Sequence, residues 1–134
     1  MSTIPAAEDV LDPDEAVYDL PTVASMLGIP VTKVHQRLRE RHLIAVRRNG
    51  VTVVPKAFFD DKGHVMKSLP GLLVVLHDGG YEPTDIVRWL FTPDPSLSIS
   101  RDGDAAPQPN ARPVDALGSH QAREVVRRAQ AMAY

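Results

Sequence analysis

The chain has 134 residues, no cysteine and a formal net charge of -2 at neutral pH. This length fits one compact domain, or a small domain with an appendage, and excludes a two-domain cofactor enzyme. The lack of cysteine excludes disulfides and thiolate metal sites, and it is typical of a reducing cytoplasm. The most apolar run, LPGLLVVL at 69–76, is too short to span a membrane, and the N-terminus lacks a signal-peptide pattern. We therefore expect a cytoplasmic chain without membrane insertion.

Charge is strongly segregated along the sequence. Residues 1–20 hold six acids and no base, whereas residues 21–56 hold seven Lys or Arg and one acid, Glu40. The local net charge is thus -6 in the first segment and +6 in the second. A basic segment of this kind is typical of a surface that binds a polyanion such as nucleic acid.

The first 15 residues are acidic and show no apolar period. They contain five acids together with Pro5 and Pro13. This composition predicts a flexible acidic tail. We expect such a tail to compete with a polyanion for the basic segment, because opposite charges pair transiently at low salt.

Two short helices are predicted after the tail. Asp19 can cap a helix with Pro21 in its first turn, and Gly28 ends that helix. A second helix follows at about 31–41, where Val31, Val34 and Leu38 form one apolar stripe. Two helices joined by a three-residue turn with glycine are typical of a helix-turn-helix.

A β-hairpin is predicted at 43–55. The β-branched runs LIAV and VTVV flank Asn49-Gly50, a pair that favours a type I′ turn because both central residues need positive φ. A hairpin in this position would be the wing of a winged helix-turn-helix at 16–66. Phe58 and Phe59 are expected to return to its core.

The polar half of the second helix would enter the major groove of duplex DNA. There Gln36 suits adenine, and Lys33 or Arg37 suits guanine. The arginines near the hairpin tip would meet phosphates or the minor groove. The candidate DNA-binding residues are Thr32, Lys33, Gln36, Arg37, Arg39, Arg47, Arg48 and Asn49.

A C-terminal helical region is predicted at 67–134. Helices are expected from Leu69 to the glycines 79–80, from Pro83 onward, and from about 119 to 132. Residues 102–112 have the composition of a loop. The expected fold class is therefore mainly α with a small β-hairpin wing, a winged helix-turn-helix followed by a helical C-terminal part.

The stretches DLPTVASMLGIPVTKVHQRLRERHLIAVRRNGVTVVP, KSLPGLLVVLHDGGY and RWLFTPDPSL carry a family resemblance. The first resembles the winged helix-turn-helix of excisionase and MerR-type regulators. Together with the C-terminal sequence they resemble a family of small actinobacterial DNA-binding proteins known from mycobacteria. The resemblance implies DNA binding and phosphorylation of the N-terminal tail by a membrane-bound Ser/Thr protein kinase. The candidate phosphoacceptors are Thr3 and Ser2.

No pattern for catalysis, a metal or a cofactor is present in the sequence. The five histidines show no metal-ligand spacing, and there is no Gly-rich phosphate loop. We expect a transcriptional regulator that is not an enzyme and lies with the nucleoid. One alternative is an adaptor that binds a protein through its C-terminal helices. Another is an effector-sensing MerR-like regulator, disfavoured because the long heptad dimerisation helix is missing. The sequence leaves the oligomeric state open, with a monomer favoured.

Overall fold

The computed structural model describes residues 5–99 and 108–134. The N-terminal half contains β1 (Ala7–Glu8), β2 (Val17–Asp19), α1 (Leu20–Leu27), α2 (Val31–Arg39), β3 (Val46–Arg48), β4 (Val51–Pro55) and a 3-10 turn (Lys56–Phe58). The C-terminal half contains α3 (Leu69–Asp78), α4 (Pro83–Phe91), β5 (Asp94–Ile99), β6 (Gln108–Ala111), α5 (Pro113–Leu117) and α6 (Ala122–Ala133).

The helix-turn-helix is built by local signals. The Asp19 carboxylate accepts a hydrogen bond from the Thr22 backbone N–H at 2.9 Å, which caps α1. Gly28 ends α1 in the left-handed conformation with φ 66°. Helix α2 starts directly after Pro30, and its Val34 and Leu38 are buried. These contacts confirm the two helices and the turn predicted from the sequence.

A four-stranded sheet supports the two helices. Its strand order is β1-β3-β4-β2, and only β1 and β3 run parallel. Strands β3 and β4 form the wing, with Val46 opposite Val53 and Arg48 opposite Val51. Strand β2 lies antiparallel to β4 on the other edge, so the chain entering α1 is held against the base of the wing.

One continuous core joins the two halves of the chain. Phe58 is fully buried, as expected, and its ring lies 5.8 Å from that of Phe91 on α4. Phe59 is 9% exposed and contacts the ring of Tyr18 edge-on. In the C-terminal half, α3 packs against α6, and α5 packs against α4 and β5. The predicted winged helix-turn-helix followed by a mainly helical part is confirmed.

The C-terminal half differs from the expectation in its two-stranded sheet and in helix α5, neither of which was predicted from the sequence. The expected loop at 102–112 is in part strand, because Gln108–Ala111 forms β6 and pairs antiparallel with β5. Residues 102–107 lie outside the described residues. Each of the two strands contains a proline, Pro95 and Pro109. Proline fits this sheet because a two-stranded sheet consists only of edge strands.

The N-terminal residues also differ from the expectation. The flexible acidic tail predicted for 1–15 is wrong for the part that the structure describes. Ala7 pairs with Val46 across β1 and β3, and its backbone N–H donates to the carbonyl of Ala45 at 2.8 Å. Leu11 is only 8% exposed in the core. Two apolar anchors thus fix a segment whose average composition is that of a tail.

Over the described ranges, no helix combines the length and apolarity that a membrane crossing requires.

Candidate nucleic-acid interface

Helix α2 presents a polar face that projects from the winged domain. Thr32, Lys33, Gln36 and Arg39 are exposed, and Arg37 is half-buried. The opposite face is buried against α1 through Val34 and Leu38. Val31, expected in the apolar stripe, is 38% exposed in the first turn of α2. The structure therefore places five sequence-predicted residues on one helix, four of them exposed and Arg37 at the edge of the buried face.

The exposed face of α2 carries a chain of hydrogen bonds. The Lys33 ammonium donates to Gln36 Oε1 at 3.5 Å, and Gln36 Nε2 donates to Glu40 Oε1 at 2.9 Å. Glu40 also lies 3.7 Å from His42 Nδ1. The three side chains Lys33, Gln36 and Glu40 are named the α2 ladder below. They follow one another at spacings of three and four residues, which brings them together on one side of a helix.

Helix α2 ends earlier than the expected residue 41. Arg41 adopts φ 66°, in the left-handed region, and the His42 backbone N–H donates to the Arg37 carbonyl at 2.9 Å. This is the termination geometry usually supplied by glycine. The sequence has Arg at this point, so no local signal marked the end. The termination directs Leu43 and Ile44 into the core.

The wing turn has the predicted geometry. Asn49 and Gly50 have φ 52° and φ 79°, the positive values that a type I′ turn requires. Asn49 is exposed at the tip, and Arg47 is exposed on β3 opposite Thr52. Arg47 and Asn49 are therefore accessible on the surface of the wing.

Arg48 has a different role from the one expected. Its Nε donates to Asp9 Oδ2 at 2.8 Å, and its Nη1 donates to the carbonyl of Glu15 at 2.8 Å. Nη2 donates to the carbonyl of Asp12 at 3.1 Å. The Arg48 side chain is 16% exposed. Its guanidinium is thus occupied by the N-terminal segment and is not presented to a phosphate.

The ion pair between Arg48 and Asp9 shifts the pKa values of both groups. The hydrogen bond from Arg48 holds the pKa of the Asp9 carboxyl below its usual 3.8, although partial burial opposes the shift. The same contact raises the pKa of Arg48. Both groups therefore stay charged at neutral pH.

A second arginine ties the same segment to the C-terminal half. Arg112, which precedes α5, donates to the Glu15 carboxylate and also to Asp115 Oδ2 at 2.7 Å. Its guanidinium lies 5.2 Å from the ring centre of Phe91. Glu15 thus contacts the wing through its backbone and α5 through its side chain. Two of the five acids of this segment, Asp9 and Glu15, are thus engaged in structural ion pairs, whereas Glu8, Asp12 and Asp14 are exposed.

Within residues 5–99 and 108–134 no three His, Asp or Glu side chains are grouped so that they could hold a metal ion.

Comparison with known proteins decides the family. Two family models match the chain: the wHTH domain of DNA-binding protein Rv2175c over residues 3–59, and the Rv2175c C-terminal domain of unknown function over 66–133. The DNA-binding protein Rv2175c of Mycobacterium tuberculosis is 68% identical over 134 residues, which is 100% of this chain and 92% of that protein. The chain belongs to the Rv2175c family. A solved structure described as the NMR structure of Rv2175c, 68% identical, superposes with a TM-score of 0.88 over 99% of this chain and 91% of the other.

The Rv2175c-family match places the candidate interface inside the winged helix-turn-helix. Every candidate residue from Thr32 to Asn49 falls within the first family model. The likeness to excisionase and MerR-type regulators remains a prediction.

Sequence reasoning missed two residues of this region. Glu40 was seen only as an acid in a basic segment, although its spacing from Gln36 could have indicated the pair. The partner of Arg48 lies 39 residues away, and nothing in the local sequence indicates it.

Proposed function

We propose that this protein binds duplex DNA, reads its sequence and acts as a transcriptional regulator. The observation that carries the proposal is the exposed polar face of α2 above a buried apolar face, next to a wing with the turn geometry of a winged helix-turn-helix. Membership of a family described as DNA-binding supports it. This role fits a cytoplasmic protein that lies with the nucleoid.

In the proposed complex, α2 lies in the major groove. Thr32, Lys33, Gln36 and Arg37 would reach base edges, because the first turns of a recognition helix point at the bases. Arg39 lies in the last turn of α2, where a cation meets the flanking phosphates. Arg47 and Asn49 would contact the backbone or the minor groove from the wing. Arg48 holds the wing in place and is left out of the contact surface.

We further propose control from the N-terminus by a Ser/Thr protein kinase that phosphorylates Thr3. Thr3 itself lies outside the described residues. It precedes Ala7 of β1 by four residues, a span of at most about 14 Å of extended chain. Since β1 pairs with the wing strand β3, a phosphate on Thr3 would be held within reach of the wing. Its charge of about -2 would repel DNA phosphates and weaken binding.

Selection from randomised duplex DNA tests the proposed function. The full chain is expected to enrich a common short sequence, and the Gln36→Ala variant to enrich a different or less defined one. Recovery of unenriched DNA by the parent would show a nonspecific binder. Recovery of no DNA at low salt would contradict the function itself.

An adaptor role through the C-terminal helices is the alternative. The observation that favours it is an apolar groove of about 270 Å³ between α3 and α6, lined by Gly71, Leu72, Val75, Val126 and Ala129. A chain that binds no duplex DNA at any salt concentration would favour this role.

A further inference from the structure

Glu40 is an acid at the C-terminal end of α2, on the same side of the helix as residues that would meet DNA. At 100° per residue, its direction from the helix axis lies about 40° from that of Gln36 and about 20° from that of Lys33. Its side chain is 48% exposed. A carboxylate at this position repels phosphates, so it lowers the affinity of the face for DNA in general.

The ladder gives each end of the Gln36 amide a hydrogen-bond partner, a close one at Glu40 and a longer one at Lys33. A glutamine amide has two N–H donors and two acceptor lone pairs. In the ladder, one N–H of Gln36 Nε2 donates to Glu40 Oε1 at 2.9 Å. One lone pair of Gln36 Oε1 accepts from the Lys33 ammonium at 3.5 Å. One N–H and one lone pair of the Gln36 amide remain for contact with a base. Adenine in the major groove offers one acceptor, N7, and one donor, the N6 amino group, so the two sets match.

The Gln36–Glu40 contact also defines which end of the amide carries the nitrogen. An ionised carboxylate only accepts hydrogen bonds, and an ammonium only donates them. Glu40 therefore draws Nε2 towards the C-terminal end of α2, while Lys33 draws Oε1 towards the N-terminal end. Without Glu40, only the longer 3.5 Å contact with Lys33 orients the amide, so the opposite orientation becomes more accessible. Fixing a side chain before binding reduces the entropy lost on contact with the base.

We propose that Glu40 is a positioning residue that sets Gln36 to read adenine and suppresses binding to other DNA. This proposal rests on the proposed DNA-binding function and deepens it. It gives the recognition helix a specificity device made of three side chains at consecutive ladder positions. Glu40 itself need not touch a base.

Two substitutions separate the positioning effect from the charge effect. Glu40→Ala removes the acceptor and the charge together. Glu40→Gln removes the charge but keeps an oxygen that can accept from Gln36 Nε2. Asp78→Asn removes one negative charge from the exposed end of α3 and serves as the control for net charge.

The test uses the full chain and the duplex selected by the parent. The base read by Gln36 is first located as the position at which Gln36→Ala loses discrimination. Affinity is then measured by fluorescence anisotropy for duplexes carrying each of the four bases there. We expect Glu40→Ala to reduce the preference for adenine by about three- to tenfold and to tighten binding to unrelated duplex. Glu40→Gln should retain most of the preference while tightening binding to unrelated duplex.

A double substitution completes the test. In the Gln36→Ala background, Glu40→Ala should leave the base preference unchanged, since nothing remains to be positioned. Unaltered discrimination in Glu40→Ala alone would overturn the positioning role, as would equal loss in Glu40→Gln. If the parent selects no sequence at all, the proposed reading of DNA sequence fails, and this outcome is visible before any variant is compared. Thermal unfolding of each variant shows that the fold is retained.

Discussion

Arg48 and Asp9 form an ion pair, 2.8 Å from Nε to Oδ2, that joins the wing to a segment 39 residues earlier in the chain. Two backbone carbonyls, those of Asp12 and Glu15, accept from the same guanidinium. Arg48 therefore stabilises the fold by holding the N-terminal segment against the wing. Its neighbour Arg47 remains on the exposed side of β3.

Arg48→Ala should lower the free energy of unfolding by about 1 to 3 kcal/mol, because it leaves the partly buried Asp9 carboxylate and two carbonyls without their donor. Urea denaturation followed by circular dichroism measures the change. Arg47→Ala is the matched control and should change stability by less than about 0.5 kcal/mol. Equal stability of the two variants would refute the structural role of Arg48.

The Asp9 carboxyl should titrate below its usual pKa of 3.8 in the folded protein. A lowered folded-state pKa means that the pair stabilises the fold above the usual value, and that this stability is lost as the pH falls through the folded-state value. Carboxyl-carbon NMR titration measures the midpoint. In Arg48→Ala the midpoint should move up towards 3.8. The same midpoint in parent and variant would argue against the ion pair in solution.

Deletion of residues 1–15 should lower the melting temperature by roughly 5 to 10 °C. This shift corresponds to a decrease of about 2 kcal/mol in the free energy of unfolding for a chain of this size. The deletion removes the β1 pairing with β3, buried Leu11 and the partners of Arg48. Deletion of residues 1–4 is the control, because it removes none of these contacts. A freely mobile acidic tail would give no change in melting temperature for either deletion.

Lys33→Ala and Gln36→Ala should each change which bases the protein prefers, at a cost of roughly 1 to 3 kcal/mol at the affected position. Both side chains are exposed on α2 and contact each other. Ser25→Ala, exposed on α1, is the control. Selection from randomised DNA reports the preference. Identical selected sequences for all three variants and the parent would mean that α2 does not read bases.

The helix-turn-helix and the wing could be predicted because their determinants are local. Asp19 caps α1, Gly28 ends it and Asn49-Gly50 closes the wing, and each acts within four residues of its partner. The end of α2 could not be predicted, because Arg41 takes a conformation usually left to glycine. In that case the burial of Leu43 and Ile44 outweighed the local preference.

Long-range pairing explains the remaining differences. The acidic composition of 1–15 predicted a tail, but Ala7 and Leu11 anchor the part of it that the structure describes. Arg48 was assigned to DNA because its charge was counted without its distant partner. The β5–β6 pair contains two prolines, which lower the local strand signal. The exposed residues of α2 were found because helical spacing alone fixes which side chains face away from the core.

The salt dependence of duplex binding by the full chain is the sharpest test of DNA binding through α2 and the wing. Fluorescence anisotropy at several salt concentrations gives the slope of log affinity against log salt, which counts the phosphates neutralised. With Arg48 engaged, the basic segment retains six bases, namely Lys33, Arg37, Arg39, Arg41, Arg47 and Lys56. We predict a slope no steeper than about -5 for the parent. The slope should become shallower by about one in Arg47→Ala and stay unchanged in Arg48→Ala. Absence of binding at low salt, or a slope that Arg47→Ala leaves unchanged, would contradict this mode of binding.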